Sequence, residues 1–245
     1  MRRERLSGKA AKQLKLLEAP DFSYIQELIA GVDEVGRGAL FGPVVAAAVV
    51  LPPETLSSLI EAGVTDSKQL SSGQRQQLAG QIRAKAIACQ IGIASVAEID
   101  HLNILQASLL AMKRAILKLQ VQPHLCLVDG NQKIPALLIP QQTLVKGDQR
   151  SVAIAAASIV AKVWRDKFII RLAAHYPAYD LIASKGYGTA RHRQALQKLG
   201  PSPFHRRSFS PCQVNEPVNE LRAIDSSQAI ASTITQLELE PSRLI

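Results

Sequence analysis

Four acidic residues end short apolar segments that are typical of β-strands. They are Asp33 and Glu34 after residues 28–32, Asp129 after 125–128, and Asp148 after 143–147. If these segments are neighbours in one sheet, their ends lie side by side and the carboxylates converge. Such a cluster repels itself unless hard divalent cations neutralise it. Two such ions about 4 Å apart can drive in-line hydrolysis of a phosphodiester, so the pattern indicates a metal-dependent nuclease site.

Two features of these acids leave structural alternatives open. Asp33 and Glu34 are consecutive, and consecutive residues of a regular strand face opposite sides of the sheet. Both serve one site only if the strand ends or twists there, which Gly36 permits. Asp148 directly precedes a long helical pattern, and it could cap that helix instead of binding a metal.

The elements that must position these acids alternate between strand-like and helix-like segments. The hydrophobic spacing predicts strands over 28–34, 44–51, 89–96, 125–129 and 143–148, and helices over 71–88, 97–119 and 151–175. Ser71 or Ser72 is a suitable N-cap for the first helix. Alternating strands and helices indicate an α/β sandwich around a mixed sheet.

Composition limits the classes of protein to which the chain can belong. It has 245 residues, of which 47% are hydrophobic and 20% charged, so a folded globular body is expected. The net charge of +9 favours a polyanionic partner such as nucleic acid or an anionic membrane. The apolar runs at 44–53 and 153–161 are too short to span a bilayer, and no signal-peptide pattern follows Met1. We therefore expect a soluble protein that is not exported and has no membrane partner.

The three cysteines argue for a reducing compartment. Cys89, Cys126 and Cys212 are far apart, odd in number and without the spacing of a metal site. A disulfide framework is therefore not expected, and a cytoplasmic location is.

Charge along the chain divides it into three parts. Residues 1–27 form a basic N-terminal extension, residues 28–212 a single catalytic domain with a helical C-terminal part, and residues 213–245 a polar tail. Residues 181–215 contain no acid and are the best candidate for a duplex-binding surface. The residues available there for phosphates are His192, Arg193, His205, Arg206 and Arg207. Elsewhere, Trp164 is expected in the core, and Asp166 is expected either in a structural ion pair or as a charge on the helix surface.

Six segments of the chain, in order, resemble motifs of the ribonuclease HII family. They are GVDEVGRG at 31–38 with FGP at 41–43, TDSKQL at 65–70, VDGN at 128–131, VKGD at 145–148, AAASIVAKVWRD at 155–166 and KGYGT at 185–189. Any one of them alone is a weak signal. Together they span about residues 29–210 and make the resemblance specific.

The resemblance implies a ribonuclease H-like fold, in which helices flank a mixed central sheet and a small helical extension follows. It places Asp33, Glu34, Asp129 and Asp148 on the metal-binding and catalytic acids of the family, which uses Mn2+ or Mg2+. The expected substrates are RNA–DNA hybrids and ribonucleotide-containing duplex DNA. Cleavage on the 5′ side of the ribonucleotide would leave a 3′-hydroxyl and a 5′-phosphate.

The same resemblance suggests which residues contact the substrate. Gly36, Arg37 and Gly38 match a motif whose backbone can approach the ribose 2′-hydroxyl. Tyr187 matches a tyrosine beside the RNA-to-DNA junction, although a tyrosine packed in a glycine turn is an equal alternative. Lys68 and Lys146 are candidates for phosphate contacts, and a solvated position suits either one equally well.

Other functions remain as alternatives. A non-catalytic nucleic-acid-binding protein on the same fold is the main one, and the presence of all four acids counts against it. A dinucleotide-binding enzyme is disfavoured because acids precede the glycine turn. A different nuclease or a transposase on this fold is also possible. Ribonuclease HIII usually carries an additional N-terminal domain, for which the leader before Gly31 is too short. A monomer is the expected state.

Overall fold

Alternating strands and helices occupy residues 28–213, which are the residues that the computed structural model describes. The five strands are β1 (Ile29–Val35), β2 (Val44–Val50), β3 (Ala88–Ala94), β4 (Leu125–Asp129) and β5 (Gln141–Leu144). The α-helices of this part are α1 (Leu56–Glu61), α2 (Ser72–Lys85), α3 (Val96–Leu102), α4 (Ile104–Leu117), α5 (Val152–Ala173), α6 (Leu181–Ser184) and α7 (Ala190–Leu199). The expected extension at 1–27 and all but the first residue of the expected tail at 213–245 lie outside the described residues.

The five strands form one mixed sheet in the order β3-β2-β1-β4-β5. Strand β2 pairs antiparallel with both β1 and β3, whereas β4 pairs parallel with both β1 and β5. The three strand segments predicted to carry acids are therefore neighbours. Their carboxyl ends meet at one edge of the sheet because all three run in the same direction.

Helices cover both faces of the sheet, and β2 shows why. All seven of its residues are buried. Val45, Ala47 and Val49 pack into the core beneath α5, while Val44 and its alternate neighbours pack into the core beneath α4. Since alternate side chains of a strand point to opposite faces, an unbroken apolar run is what a doubly covered strand requires.

Helix α5 is the central element on one face of the sheet. It begins after Ser151, whose hydroxyl accepts a hydrogen bond from the backbone N–H of Ile154. The helix lies so close to β1 that a Cβ at Gly31 would be 2.1 Å from the carbonyl carbon of Ala153. Trp164 is fully buried, which confirms its predicted place in the core.

Two further observations concern predictions made for α5 and its neighbours. Of the two alternatives for Asp166, the structure has the ion pair, with Lys162 Nζ at 2.7 Å one helical turn away. Ser71 is the N-cap of α2 and forms a capping box with Gln74. Within residues 28–213, no helix combines the length and the apolar character that crossing a bilayer requires.

The prediction of one continuous helix over 97–119 was wrong. Asn103 separates α3 from α4 and has a φ of 73°, a value outside the helical region. Its side-chain oxygen accepts hydrogen bonds from the backbone N–H groups of Leu105 and Gln106 and so starts α4 anew. An asparagine can adopt positive φ and cap a helix at the same time, which explains the break.

Candidate active site

Asp33 and Asp129 lie side by side where the parallel pairing of β1 and β4 ends. The register pairs Val32 with Val128, so the two acids occupy the next positions along each strand. Asp33 is 6% exposed, and its Oδ1 accepts a hydrogen bond of 2.7 Å from the backbone N–H of Glu34. Strand β1 continues to Val35 before the turn at Gly36, so both Asp33 and Glu34 are strand residues.

Asp148 is also buried at this edge of the sheet, but not at a strand end as the pattern predicted. Strand β5 ends at Leu144, Lys146 follows with a left-handed φ of 55°, and Asp148 lies in a 3-10 turn. It does not cap α5 either, since Ser151 has that role. The turn is joined to β4 because the backbone N–H of Gly147 donates to Asp129 Oδ1 at 2.6 Å.

The carboxyl groups of this edge perturb one another. The pKa of Asp33 is raised well above its ordinary value, first by burial and then by the negative charges of Glu34 and Asp129. Hydrogen bonds from Ser158 and from the Glu34 N–H oppose that rise. Holding several ionised carboxylates here is therefore unfavourable unless cations accompany them.

Glu34 and Asp148 are perturbed in the same direction. Burial raises the pKa of Glu34, and the guanidinium of Arg37, 3.1 Å from Oε1, opposes the rise. Burial also raises the pKa of Asp148, with further contributions from the charges of Asp66 and Asp129, while Lys68 lowers it. The charge of Asp129 contributes to the raised pKa of Asp33, Glu34 and Asp148 alike, so the four predicted acids share one electrostatic environment.

The donor set fits hard divalent cations in its chemistry. Every candidate ligand offers carboxylate oxygen, which Mg2+ and Mn2+ prefer over nitrogen or sulfur. Over residues 28–213, no three acidic, histidine or cysteine side chains are already gathered into a cluster that could hold an ion. The electrostatic coupling and the all-oxygen donors, rather than a finished coordination sphere, support this edge as a metal site.

A fifth acid, Asp66, lies beside Asp148 and was not assigned from the sequence. It is 7% exposed, and its side chain accepts hydrogen bonds from the backbone N–H of Lys68 at 2.9 Å and from Gln149 Nε2 at 3.4 Å. The available signal was its place in the segment at 65–70, where the acid follows the buried Val64.

Ser158 is a second residue that sequence reasoning missed. It hydrogen-bonds Asp33, and its Oγ lies 2.9 Å from Oγ of Ser67 in the segment after α1. Both serines are buried. A lone hydroxyl on the apolar, alanine-rich face of α5 was the signal that could have identified it.

The two loops predicted to contact substrate lie against each other. Ala39 and Tyr187 form an antiparallel bridge, and the backbone N–H of Leu40 donates to the Gly186 carbonyl at 2.8 Å. Arg37 and Gly38 are exposed. The segment at 36–38 and the segment around Tyr187 therefore form one continuous surface.

Buried Arg165 hydrogen-bonds to both of these loops. Its guanidinium donates to the carbonyls of Phe41, Pro43 and Lys185 at 2.9–3.1 Å. Gly36 has a φ of 90°, and a Cβ at this position would be 2.2 Å from Arg165 Nε. The close approach of the arginine therefore requires glycine at position 36.

Tyr187 is half-buried, and two cations lie near its ring. Lys162 Nζ is 5.4 Å and Arg165 Cζ 5.5 Å from the ring centroid, which is within the range of cation–π attraction. Lys68 and Lys146 are exposed on the acidic side of the molecule. The structure thus leaves both lysines accessible to a ligand.

The prediction that His192, His205 and Arg206 are available to phosphates was wrong. All three are at most 1% exposed. Arg206 donates to the backbone carbonyls of Gly42 and Arg37 at 3.0 and 2.8 Å, and the two histidines hydrogen-bond each other. Their polar atoms are directed inward because they hold loops together. Arg193 and Arg207 are the predicted phosphate contacts that remain exposed.

Solved structures of ribonucleases have the same fold. The ribonuclease H2 from Pyrococcus horikoshii OT3 matches with a TM-score of 0.66 and 27% identity, over 76% of this chain and 95% of that chain. The PCNA:RNase HII complex from Archaeoglobus fulgidus matches with a TM-score of 0.63 and 28% identity, over 78% and 98%. Bst-RNase HIII in complex with Mn2+ has a TM-score of 0.65 at 18% identity, over 86% and 74%. The architecture is that of the ribonuclease H-like class, as the sequence predicted.

The sequence comparisons narrow this class to one family. A family profile described as Ribonuclease HII matches residues 30–212. Ribonuclease HII of Trichodesmium erythraeum is 66% identical over 76% of this chain and 88% of its own, and that of Acaryochloris marina is 62% identical over 77% and 96%. The chain belongs to the ribonuclease HII family and is a ribonuclease H, a hydrolase. The predicted family is confirmed, and the enzyme is favoured over the non-catalytic binding protein.

Proposed function

We propose that the protein hydrolyses the RNA strand of RNA–DNA hybrids and also incises duplex DNA on the 5′ side of a single ribonucleotide. Asp33, Glu34, Asp129 and Asp148 would hold divalent metal ions for this reaction, Mn2+ or Mg2+. The observation that carries the proposal is that the β1–β4 register and the hydrogen bond from the Gly147 N–H to Asp129 bring these acids to one edge of the sheet, where the charge of Asp129 raises the pKa of buried Asp33 and Asp148. Bound cations would supply the charge that activates a water and stabilises the leaving oxygen.

The residues around the acids orient them for that task. Ser158 and the Glu34 N–H hold the Asp33 carboxylate, and the Gly147 N–H holds one oxygen of Asp129. Oδ1 of Asp33 and Oδ1 of Asp129 are thereby each fixed by a backbone donor. The remaining oxygen atoms can then face a cation without reorganisation of the backbone.

Recognition of the ribonucleotide is proposed for the surface formed by Gly36, Arg37, Gly38 and Tyr187. Gly38 and Arg37 are exposed beside the buried Gly36, and the backbone of this turn can reach a 2′-hydroxyl, the group that distinguishes RNA from DNA. The ring of Tyr187 can stack on a sugar or base at the junction. The bridge between Ala39 and Tyr187 keeps both parts of this surface in register.

Phosphate contacts are proposed for the exposed lysines and arginines. Lys68 and Lys146 lie beside the acids, and Arg193 and Arg207 lie on the C-terminal part. Such contacts position a duplex without reading its sequence. Residues 28–212 are proposed to act as one catalytic domain and as a monomer.

Cleavage of an end-labelled DNA duplex that contains one ribonucleotide tests the proposal. The duplex is incubated with Mn2+, Mg2+ or a chelator, next to an RNA–DNA hybrid and an all-DNA control. We expect metal-dependent incision 5′ to the ribonucleotide, with the all-DNA duplex intact. Cutting of the hybrid alone would refute the incision activity, and cutting of all three substrates would refute recognition of the 2′-hydroxyl.

A further inference from the structure

The backbone carbonyl of Tyr187 is the end point of a hydrogen-bond chain through two buried histidines. His192 Nδ1 lies 2.9 Å from this carbonyl oxygen, and His192 Nε2 lies 3.0 Å from His205 Nε2. At the other end, His205 Nδ1 is 2.9 Å from the backbone nitrogen of Ser202 and 2.8 Å from its Oγ. Four groups from three segments thus form one continuous chain.

The direction of every hydrogen bond in this chain follows from its two ends. A backbone N–H can only donate, so His205 Nδ1 must be the acceptor and carry no proton. The single proton of a neutral His205 is therefore on Nε2 and is donated to His192 Nε2. That leaves the proton of His192 on Nδ1, where it is donated to the Tyr187 carbonyl, which can only accept.

The surroundings keep both imidazoles neutral. Burial and, to a smaller extent, the adjacent His192 lower the pKa of His205 to about 3, and burial also lowers the pKa of His192. The rings of Tyr179 and Phe41 pack against His205 at centroid distances of 4.7 and 5.0 Å. A proton added to either ring would leave two donors facing each other, which this packing cannot relieve.

The hydrogen-bond chain ends at the loop that carries the proposed recognition surface. The Tyr187 carbonyl also accepts a hydrogen bond of 2.8 Å from the Thr189 N–H, and Tyr187 itself bridges to Ala39 next to the segment at 36–38. The position of this carbonyl therefore sets where the Tyr187 ring stands relative to Gly38. The His192 ring hydrogen-bonds with Tyr187 and His205, and its backbone N–H with Thr189. Its influence on the active site therefore passes through Tyr187.

We propose that His192 and His205 are positioning residues for Tyr187, and that they act as a neutral relay of fixed tautomers. The inference rests on the proposed role of Tyr187 at the junction. In this arrangement the relay sharpens discrimination of a single ribonucleotide within DNA. It contributes less to cleavage of a long RNA strand, because such a strand can be cut at many neighbouring positions.

A spectroscopic measurement tests the tautomers independently of activity. Long-range 1H–15N correlation spectra of the uniformly 15N-labelled full chain distinguish the Nδ1–H form, the Nε2–H form and the cation. His192 and His205 are assigned by comparing spectra of His192→Asn and His205→Gln variants with wild type. We expect His192 as Nδ1–H and His205 as Nε2–H at neutral pH. Either histidine in the other tautomer, or as a cation, would overturn the relay.

Paired substitutions test the positioning role. His192→Leu removes the donor to Tyr187, whereas His192→Asn places an amide nitrogen near the position of Nδ1 and retains it. For the single-ribonucleotide duplex we expect His192→Leu to raise KM roughly tenfold, as loss of one buried hydrogen bond predicts, with a smaller change in kcat. His192→Asn should restore most of this loss. His175→Leu, at an exposed histidine just after α5, is the matched control.

Comparison with Tyr187→Ala separates failure of the relay from failure of the proposed function. If Tyr187→Ala changes the ratio of KM values for the single-ribonucleotide duplex and the long hybrid but folded His192→Leu does not, the relay is overturned alone. If Tyr187→Ala leaves that ratio unchanged, the junction role itself is overturned. Equal losses in His192→Leu and His192→Asn would show a structural role without positioning. Circular dichroism and thermal unfolding establish that each variant is folded, and the tautomers themselves are measured on the wild-type protein.

Discussion

Gly147 donates its backbone N–H to Asp129 Oδ1 at 2.6 Å, which links the end of β4 to the turn that carries Asp148. Two of the four acids are therefore coupled through a single backbone group. The position also tolerates little bulk, because a Cβ at Gly147 would lie 2.6 Å from Ile154 Cδ1 and 3.1 Å from Asp129 Oδ1. These two contacts, rather than a special φ, disfavour a side chain at position 147.

Gly147→Ala should reduce cleavage several-fold and destabilise the fold by about 1–3 kcal/mol, as overpacking does. The added methyl group displaces the Asp129 carboxylate or the buried Ile154. Cleavage rates and urea unfolding measure the two effects. Gly80→Ala is the matched control, since no atom lies within 4 Å of its Cβ position and a helical alanine stabilises by roughly 0.5–1 kcal/mol. Equal behaviour of the two variants would contradict the packing argument.

Asp33→Asn should abolish cleavage and raise the thermal midpoint of the metal-free protein. The pKa of Asp33 is raised on folding, so this group favours folding below its unfolded pKa and loses that contribution as pH rises. At neutral pH the ionised carboxylate therefore weakens the fold, and the neutral amide removes the repulsion. Each kcal/mol gained corresponds to about 2–4 °C.

The control for this experiment is Glu61→Gln, an exposed acid at the end of α1. It should change neither cleavage nor the thermal midpoint measurably. Cleavage by Asp33→Asn at the wild-type rate would remove Asp33 from the metal site. A lower midpoint in Asp33→Asn would instead mean that its hydrogen bonds with Ser158 and Glu34 outweigh the repulsion.

Sequence reasoning located Asp33 and Asp129 because local patterns determine both positions. Each ends an apolar run of strand-forming residues, and β4 has the predicted bounds. The convergence of the two acids required the strand order, which the sequence did not give directly. Asp148 was placed less well. The residues at 143–148 look like one extended segment in the sequence, whereas in the structure β5 ends at Leu144 and Lys146 has a left-handed φ.

The buried histidines show a different limit of the sequence. His192 and His205 stand among exposed basic residues, and residues 181–215 were therefore interpreted as a phosphate-binding face. Their burial depends on contacts with Tyr179, Phe41 and each other, which are distant in sequence. No local spacing of charges distinguishes a histidine in such a network from one on a solvent-exposed surface.

Asn103→Ala should destabilise the protein by about 1–2 kcal/mol, more than Asn103→Gly does. Alanine removes the cap of α4 and is strained at a φ of 73°, whereas glycine removes only the cap. Loss of a cap to glycine costs a few tenths of a kcal/mol. Urea unfolding measures both values. If the two variants are equally stable, positive φ is not what separates α3 from α4.

Tyr187→Ala should weaken cleavage at a single ribonucleotide more than cleavage of a long RNA tract. A single ribonucleotide offers one scissile position, so its placement depends on the ring, whereas a hybrid presents many. Loss of stacking corresponds to about 1–3 kcal/mol per base. Tyr187→Phe keeps the ring and should retain most of the discrimination. Steady-state rates on both substrates test this, and equal losses on both would argue against a junction role.

The contribution of His205 to the stability of the fold should be lost in acid. Burial lowers the pKa of His205 to about 3, whereas in the unfolded chain the group takes up a proton near pH 6.5. Its contribution to stability is complete above the unfolded pKa and is lost as pH falls towards the folded pKa. The expected slope is about 1.4 kcal/mol for each pH unit.

Urea unfolding of the metal-free protein at about pH 7.5 and about pH 5 measures this slope. The stability advantage of wild type over His205→Leu should shrink between the two conditions, because leucine does not titrate. The raised pKa values of Asp33, Glu34 and Asp148 give an opposite slope in both proteins and cancel in the difference. The free energy of unfolding of His175→Leu should change with pH as that of wild type does, since that histidine is exposed. A constant advantage over this range would mean that His205 takes up its proton in the folded protein as it does in the unfolded chain, and this would contradict the acceptor role of its Nδ1 toward Ser202.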